Sequence, residues 1–255
     1  YFMTGTGLVL TIVVELVYLV GDIGRMNVVF KLYHQAWMLL TLPLGLAVVI
    51  LFKELSSWRT RNQFLFQIPL ILLVFVGLLF PLLASKDKIL DRMDPNAPKT
   101  LDGMKYMETS RYAMNGIDMD LGQDYRAIQW MQDNISGSPV ILEAQAYEYG
   151  WGNRYTIYTG LPGVVGWNYH QRQQRAILAN NDVQSRVDEV NALYQSVDKN
   201  FVIETLNRYD VEYIVVGQLE YAMYSYEGLS KFEEWNGELW DEVYREANTV
   251  IYKVR

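Results

Sequence analysis

The chain has 255 residues, of which 51% are hydrophobic and 20% are charged, and it contains no cysteine. Only eight charged residues lie in residues 1–84, which sum to +2, whereas residues 85–255 carry 17 lysines and arginines against 26 acidic residues. This division of charge excludes a wholly soluble protein and a wholly membrane-embedded one. The absence of cysteine excludes any disulfide or thiolate site, and the acidic second part argues against nucleic acid as a partner.

Three apolar runs follow one another in residues 1–84, at about 2–20, 36–52 and 64–84. At ~1.5 Å per helical residue, runs of this length cross most or all of a hydrocarbon layer ~30 Å thick. Core helices of a soluble protein are the alternative interpretation, but three such runs in succession favour the membrane. We therefore predict three transmembrane helices.

The segment 21–35, between the first two runs, is too polar for lipid and too apolar for an ordinary loop. As a helix, it would place Asn27, Lys31 and His34 on one face, which predicts a helix at the membrane surface. Glu15 lies inside the first run, where an unpaired charge is costly. One interpretation is that Glu15 pairs with Arg25 or Lys31 and holds the helices together.

The other interpretation is a site for a phosphate-bearing lipid at the membrane surface. Arg25, Lys31 and His34 would bind the anion, because cationic donors form strong hydrogen bonds with phosphate. Glu15 and Asp22 would support catalysis, by binding a divalent cation or by polarising a hydroxyl group.

Residues 85–122 are polar and contain turn residues, which predicts a juxtamembrane linker with little regular structure. From residue 123 the pattern alternates between helices and short β-branched strands, which predicts a soluble α/β domain over 123–255 with a partly parallel sheet. The predicted helices are 123–135, 171–178, 183–195, 200–209 and 225–235. The predicted strands are 139–144, one within 159–167, 211–217 and a closing hairpin in 243–255.

Acidic, basic and aromatic residues alternate between residues 143 and 175. Glu143, Arg154, Trp167 and His170 are our candidates for binding a sugar acceptor, because carboxylates accept hydrogen bonds from hydroxyls and aromatic faces stack on sugar rings. Glu143 also lies at the C-terminal end of a predicted strand, at the edge of an α/β sheet where ligands bind. The alternative is that these aromatic residues pack in the core.

Residues 15–37, ELVYLVGDIGRMNVVFKLYHQAW, resemble the signature of the YYY-type family of polytopic membrane proteins, although Asp22 lies closer to Arg25 than in the family pattern. Residues 139–167, together with His170, Gln171 and Arg175, resemble a second block, and residues 209–220 resemble a third. The resemblance implies the C-terminal portion of a longer membrane protein, with upstream transmembrane helices or other membrane subunits as partners. The family's architecture is similar to that of C-type glycosyltransferases, which move sugar from a polyprenyl-phosphate carrier to an acceptor.

This resemblance implies that the principal catalytic carboxylate lies upstream of the chain, with a lipid-linked sugar as donor and possible substrate. It also implies a protein integral to the prokaryotic plasma membrane, with residues 85–255 on the outer face. The distribution of lysine and arginine leaves this orientation open. The alternative function is a non-catalytic membrane subunit or assembly scaffold.

Overall fold

The computed structural model describes residues 1–17, 25–175 and 181–255 of the chain. It consists of two compact units, Tyr1–Arg92 and Met93–Arg255. Each unit has its own internal packing.

The first unit is helical, with α1 (Phe2–Leu16), α2 (Met26–Glu54), a 3-10 turn (Leu55–Ser57) and α3 (Thr60–Arg92). By length and composition, α2 with its 3-10 turn and α3 can each cross a membrane, because each contains an 18-residue stretch of high mean hydropathy, 2.0 and 2.6 respectively. The 15 residues of α1 are also apolar but extend only about 22 Å. The structure therefore supports two of the three predicted spans.

Two boundaries of the first unit differ from the prediction. The predicted surface segment is not a separate helix from residue 26 onwards, because Met26 and the second span lie in the same continuous helix α2. No proline or glycine interrupts the chain between Met26 and Leu42, so nothing ends the helix there. Similarly, α3 continues past residue 84 to Arg92, into the predicted linker.

Helix α1 packs against α2 at a close approach centred on Gly7. A Cβ atom at this glycine would lie 2.8 Å from the Leu40 Cγ atom and 3.4 Å from the Ala36 carbonyl oxygen. Val14 and Ala36 are each only 1% exposed. The glycine therefore lets the two backbones approach closely, as small residues do between membrane helices.

The second unit contains four strands of one mixed sheet, in the order β3-β4-β6-β5. β3 and β4 are parallel, and the other pairs are antiparallel, so the predicted α/β fold with a partly parallel sheet is confirmed at this level. The elements are β1 (Arg111–Met114), β2 (Ile117–Asp120), α4 (Leu121–Asn134), β3 (Val140–Leu142), α5 (Arg154–Thr159), α6 (Asn168–Gln174), α7 (Asp182–Gln195), α8 (Lys199–Arg208), β4 (Val211–Val216), α9 (Gln218–Met223), α10 (Tyr226–Glu234), β5 (Trp240–Glu246) and β6 (Thr249–Val254).

Helices cover both faces of this sheet. Successive side chains of a strand point to opposite faces. Accordingly, Ile141 and Val215 lie in a core with α4 and α5, whereas Leu142 and Ile214 lie in a second core with α7, α8 and α10. The unit is therefore a helix–sheet–helix sandwich, with the carboxyl ends of β3 and β4 side by side at one edge.

The predicted linker contains a β-hairpin instead of irregular structure at β1 and β2. Asn115 and Gly116 join the strands with φ values of +52° and +80°, the left-handed pair that a two-residue hairpin turn requires. Gln218 of α9 exchanges two hydrogen bonds with the Asp120 backbone, at 2.9 and 2.8 Å. The prediction of little regular structure was wrong here, and the Asn-Gly pair was the signal that could have corrected it.

The strand predicted within 159–167 is reduced to a single bridge between Gly163 and Ile141. The Pro162 carbonyl oxygen accepts a hydrogen bond from the Ile141 N–H at 2.8 Å. Proline has no N–H group of its own to continue a ladder. Residues 154–159, just before, form helix α5.

Candidate functional site

A buried ionic network lies at the carboxyl ends of β3 and β4. Arg154 is 1% exposed and is surrounded by Asp124, Glu143 and Glu220, none of them more than 2% exposed. The Arg154 Nε atom lies 2.9 Å from Asp124 Oδ2, Nη2 lies 2.9 Å from Glu220 Oε2, and Nη1 lies 3.7 Å from Glu143 Oε2. One arginine therefore joins carboxylates from three separate parts of the chain.

The backbone completes this network. Glu220 accepts hydrogen bonds from the N–H groups of Ala144 and Gly217, at 2.9 and 2.8 Å. Glu143 accepts two from the first turn of α5, at 3.1 and 2.9 Å. Because a buried carboxylate is costly unless it is hydrogen-bonded and paired, these bonds fix the segments that follow both parallel strands.

Burial raises the pKa of the Glu143 carboxyl, and the neighbouring Arg154 guanidinium opposes this effect. Although burial disfavours its charge, the surrounding carboxylates hold the pKa of Arg154 well above its usual value. The arginine is therefore charged at all accessible pH values. Glu143 and Arg154, predicted to bind an acceptor, lie in this core and are only 2% and 1% exposed.

The other predicted acceptor residues lie in a surface cluster that we call the aromatic group: Tyr149, Trp167, Tyr169 and His170. The Tyr149 ring centroid lies 5.9 Å from that of Trp167, 6.3 Å from that of Tyr169 and 6.0 Å from that of His170. Tyr149 is 67% exposed. Its φ of +63° is unusual for a bulky residue and costs about 1–3 kcal/mol.

An ion pair borders the aromatic group and joins its two segments. Arg172 Nη2 on α6 lies 2.6 Å from Glu148 Oε1 and also donates to Asn168 Oδ1 at 3.1 Å. Glu148 belongs to the loop after β3, so this pair holds that loop against α6. The arrangement presents aromatic faces and hydrogen-bonding groups together at the edge of the sheet where α/β proteins bind ligands.

In the first unit, the structure pairs Glu15 with Arg25. The Tyr33 hydroxyl donates a further hydrogen bond to Glu15 at 3.4 Å. This is the arrangement of the first interpretation, in which the ion pair connects the two helices. Lys31 and His34 are exposed on α2, and Asp22 lies outside the described residues.

The residues that the structure describes contain no cluster of three histidine or acidic side chains placed to hold a metal ion. Sequence reasoning missed Asp124 and Glu220 as partners of Arg154. Asp124 lies on helix α4. Glu220 lies on α9, which follows β4, and is 66 residues away from Arg154 in the sequence. No local pattern connects them.

Comparison with known proteins concerns mainly the first unit. Residues 1–40 match the model of a family described as "Uncharacterized membrane protein (DUF2298)". No curated protein and no solved structure matches the chain. The family match covers α1 and the first part of α2, and together with the two apolar helices it supports a membrane protein.

Proposed function

We propose that the chain is the C-terminal portion of a membrane glycosyltransferase that uses a polyprenyl-phosphate-linked sugar, and that its second unit binds the acceptor carbohydrate through the aromatic group. The aromatic group, in which Tyr149 and His170 are exposed and Trp167 and Tyr169 are partly buried, carries this proposal. It follows β3 at the sheet edge, and a buried ionic network fixes the segments beneath it.

The chemistry of the aromatic group suits a sugar. Aromatic faces stack on the C–H surfaces of a sugar ring, while the Glu148–Arg172 pair offers an acceptor and donors for hydroxyl groups. The strained backbone of Tyr149 supports a binding role, because strain persists where the surrounding structure imposes it and concentrates at ligand sites.

The donor part of the proposal concerns the first unit. Lys31 and His34 are exposed on one side of α2, at a spacing of three residues, and would contact the lipid phosphate. Arg25 is engaged by Glu15, so in this proposal these two residues and Asp22 support the site, with or without a divalent cation. The principal catalytic carboxylate would lie upstream, as in the C-type architecture that the YYY-type resemblance suggests.

The alternative is a non-catalytic membrane subunit or scaffold. Two observations favour it: the Glu15–Arg25 pair serves as a contact between helices, and the Arg154 network is engaged within the fold. In both places the charged side chains bind one another, so none of them is free to take part in a reaction.

Titration of the full chain with soluble oligosaccharides, followed by tryptophan fluorescence, tests acceptor binding. Trp167→Ala and Tyr149→Ala should each weaken binding by about tenfold, as expected when a stacking partner worth about 1.4 kcal/mol is lost. Tyr226→Ala is the matched control, because Tyr226 is 81% exposed and lies outside the aromatic group. If the Trp167→Ala and Tyr149→Ala variants bind the oligosaccharides as tightly as wild type and Tyr226→Ala do, the proposal loses its basis.

Sugar transfer from a polyprenyl-phosphate donor distinguishes the two functions. Assayed in membranes that contain the complete protein, Lys31→Ala or Arg25→Ala should abolish transfer without loss of folded protein. Arg59→Ala, in the segment between α2 and α3, is the control. Transfer that is unchanged in the Lys31 and Arg25 variants would contradict the donor site, and a complete protein without transferase activity would favour the scaffold.

A further inference from the structure

A cleft of about 250 Å³ lies in the second unit, between residues 163–165, helix α6 and the first turns of α7. Its polar lining consists of Gln171, Arg175, Asp182 and Arg186. This volume is below the range typical of drug-sized ligands. It therefore suits one compact group rather than a whole oligosaccharide.

The cleft contains two arginines without an acidic partner. The structure describes nine arginines in residues 93–255, and seven of them form ion pairs with acidic side chains. Among the described arginines of residues 93–255, only Arg175 and Arg186 form none, and both line this cleft. Acidic residues outnumber basic ones by 26 to 17 in residues 85–255. Two such arginines at one place therefore indicate a site for an anion from outside the protein.

Both guanidinium groups are held in position. Arg175 donates from Nη1 to the Gln171 side-chain oxygen. Arg186 donates from Nη1 to the Val164 carbonyl oxygen at 3.2 Å and stacks over the Tyr209 ring at 5.2 Å. Each group has five N–H donors, so most of them remain for a ligand.

We propose that this cleft binds the phosphate group of a phosphate monoester through Arg175 and Arg186. Planar guanidinium groups match phosphate oxygens in geometry and charge. Gln171 and Asp182 would contact hydroxyl groups beside the phosphate. The shared chemistry is the phosphate, whether it belongs to a soluble sugar phosphate or to a lipid headgroup.

The cleft adjoins the aromatic group along α6. Trp167, Gln171 and Arg175 follow one another at intervals of four residues, which places them along one side of the helix. A sugar phosphate could therefore stack its ring on the aromatic group and place its phosphate in the cleft. The sugar part of this inference rests on the proposed function, whereas the phosphate part does not.

Binding measurements on the full chain in phosphatidylcholine nanodiscs test the inference, with inorganic phosphate, glucose 1-phosphate and glucose as ligands. We expect phosphate and glucose 1-phosphate to bind, and Arg175→Gln and Arg186→Gln each to weaken both by about tenfold or more, the loss of one charge-assisted hydrogen bond. Arg111→Gln is the matched control, because it removes an exposed arginine outside the cleft.

The results separate this inference from the proposed function. Phosphate binding that is absent, or that is equal in wild type and the two cleft variants, overturns the inference. Glucose binding that depends on Trp167 tests the proposed function and is unaffected by that outcome. Phosphatidic acid added to the nanodiscs then identifies the source of the phosphate: competition with glucose 1-phosphate supports the site with a lipid headgroup as ligand, and no competition supports it with a soluble ester.

Discussion

Replacing Arg154 with methionine should destabilise the second unit strongly. The variant removes one positive charge from among three carboxylates, each at most 2% exposed, and breaks two hydrogen bonds to Glu220 at 3.3 and 2.9 Å. Removing one partner of a buried ion pair costs about 3–5 kcal/mol. Because proteins of this size are stable by only about 5–15 kcal/mol, the loss is a large part of the total.

Pulse proteolysis of the full chain in increasing urea measures this effect. With a urea dependence of about 2 kcal/mol per M, a loss of 4 kcal/mol lowers the midpoint by about 2 M. Arg111→Met is the matched control, because its pair with Asp118 is 57% and 61% exposed and such pairs contribute about 0–1 kcal/mol. Equal midpoints for Arg154→Met and Arg111→Met would refute the structural role of the network.

The free energy of unfolding of Arg154→Met should also depend on pH. Without the arginine, the buried carboxyls of folded Arg154→Met should bind protons more readily than those of the unfolded chain. The free energy of unfolding of the variant should therefore fall as pH rises above the usual carboxyl range. Measured at pH 5 and pH 8, the deficit relative to wild type should be larger at pH 8, and a deficit that is independent of pH would contradict this explanation.

Three further predictions concern other parts of the chain. Burial lowers the pKa of Lys231 from 10.5 to about 7, so the unfolded chain binds more protons than the folded one between these two pH values. The free energy of unfolding should therefore rise from pH 7 to pH 9, by up to about 1.4 kcal/mol per pH unit. Lys231→Met should remove this rise when stability is measured by pulse proteolysis. Gly228→Ala places a Cβ atom 2.6 Å from a backbone oxygen of α7 and should lower the free energy of unfolding by about 1–3 kcal/mol in the same assay. Gly103→Ala is the control: its Cβ atom has nothing within 4 Å, so the free energy of unfolding should change by less than about 0.5 kcal/mol. Because the chain has no cysteine, the single-cysteine variants Tyr226→Cys and Ser57→Cys show on which side of the membrane each position lies. If residues 85–255 are on the outer face, an impermeant maleimide should label Tyr226→Cys in intact cells and Ser57→Cys only after permeabilisation. The reverse labelling pattern would contradict this orientation.

The elements with regular local patterns were predictable from the sequence. Helix α4 was predicted as 123–135 and begins at Leu121, and the strand predicted over 211–217 is β4, Val211–Val216. Helical spacing of apolar residues and runs of β-branched residues carry this information locally. The division between an apolar and an acidic half of the chain was equally visible in the charges alone.

The candidate site was predictable only in part. Trp167 is the N-cap of α6 and His170 lies in its first turn, so the local spacing allowed their rings to come together. Glu143 and Arg154 lie close together, but the sequence did not predict that both side chains are buried. Their burial depends on Asp124 and Glu220, which other elements bring to the same place, and a single sequence does not reveal such pairing.

The position of β6 in the sheet has a consequence for biosynthesis. β6 lies between β4 and β5, although Thr249–Val254 follows both of these strands in chain order. As the chain emerges from the ribosome, β4 therefore keeps an open edge until some thirty further residues have been made, and such unpaired edges favour aggregation and proteolysis. A copy interrupted before residue 249 would display that edge and would therefore be exposed to aggregation and proteolysis.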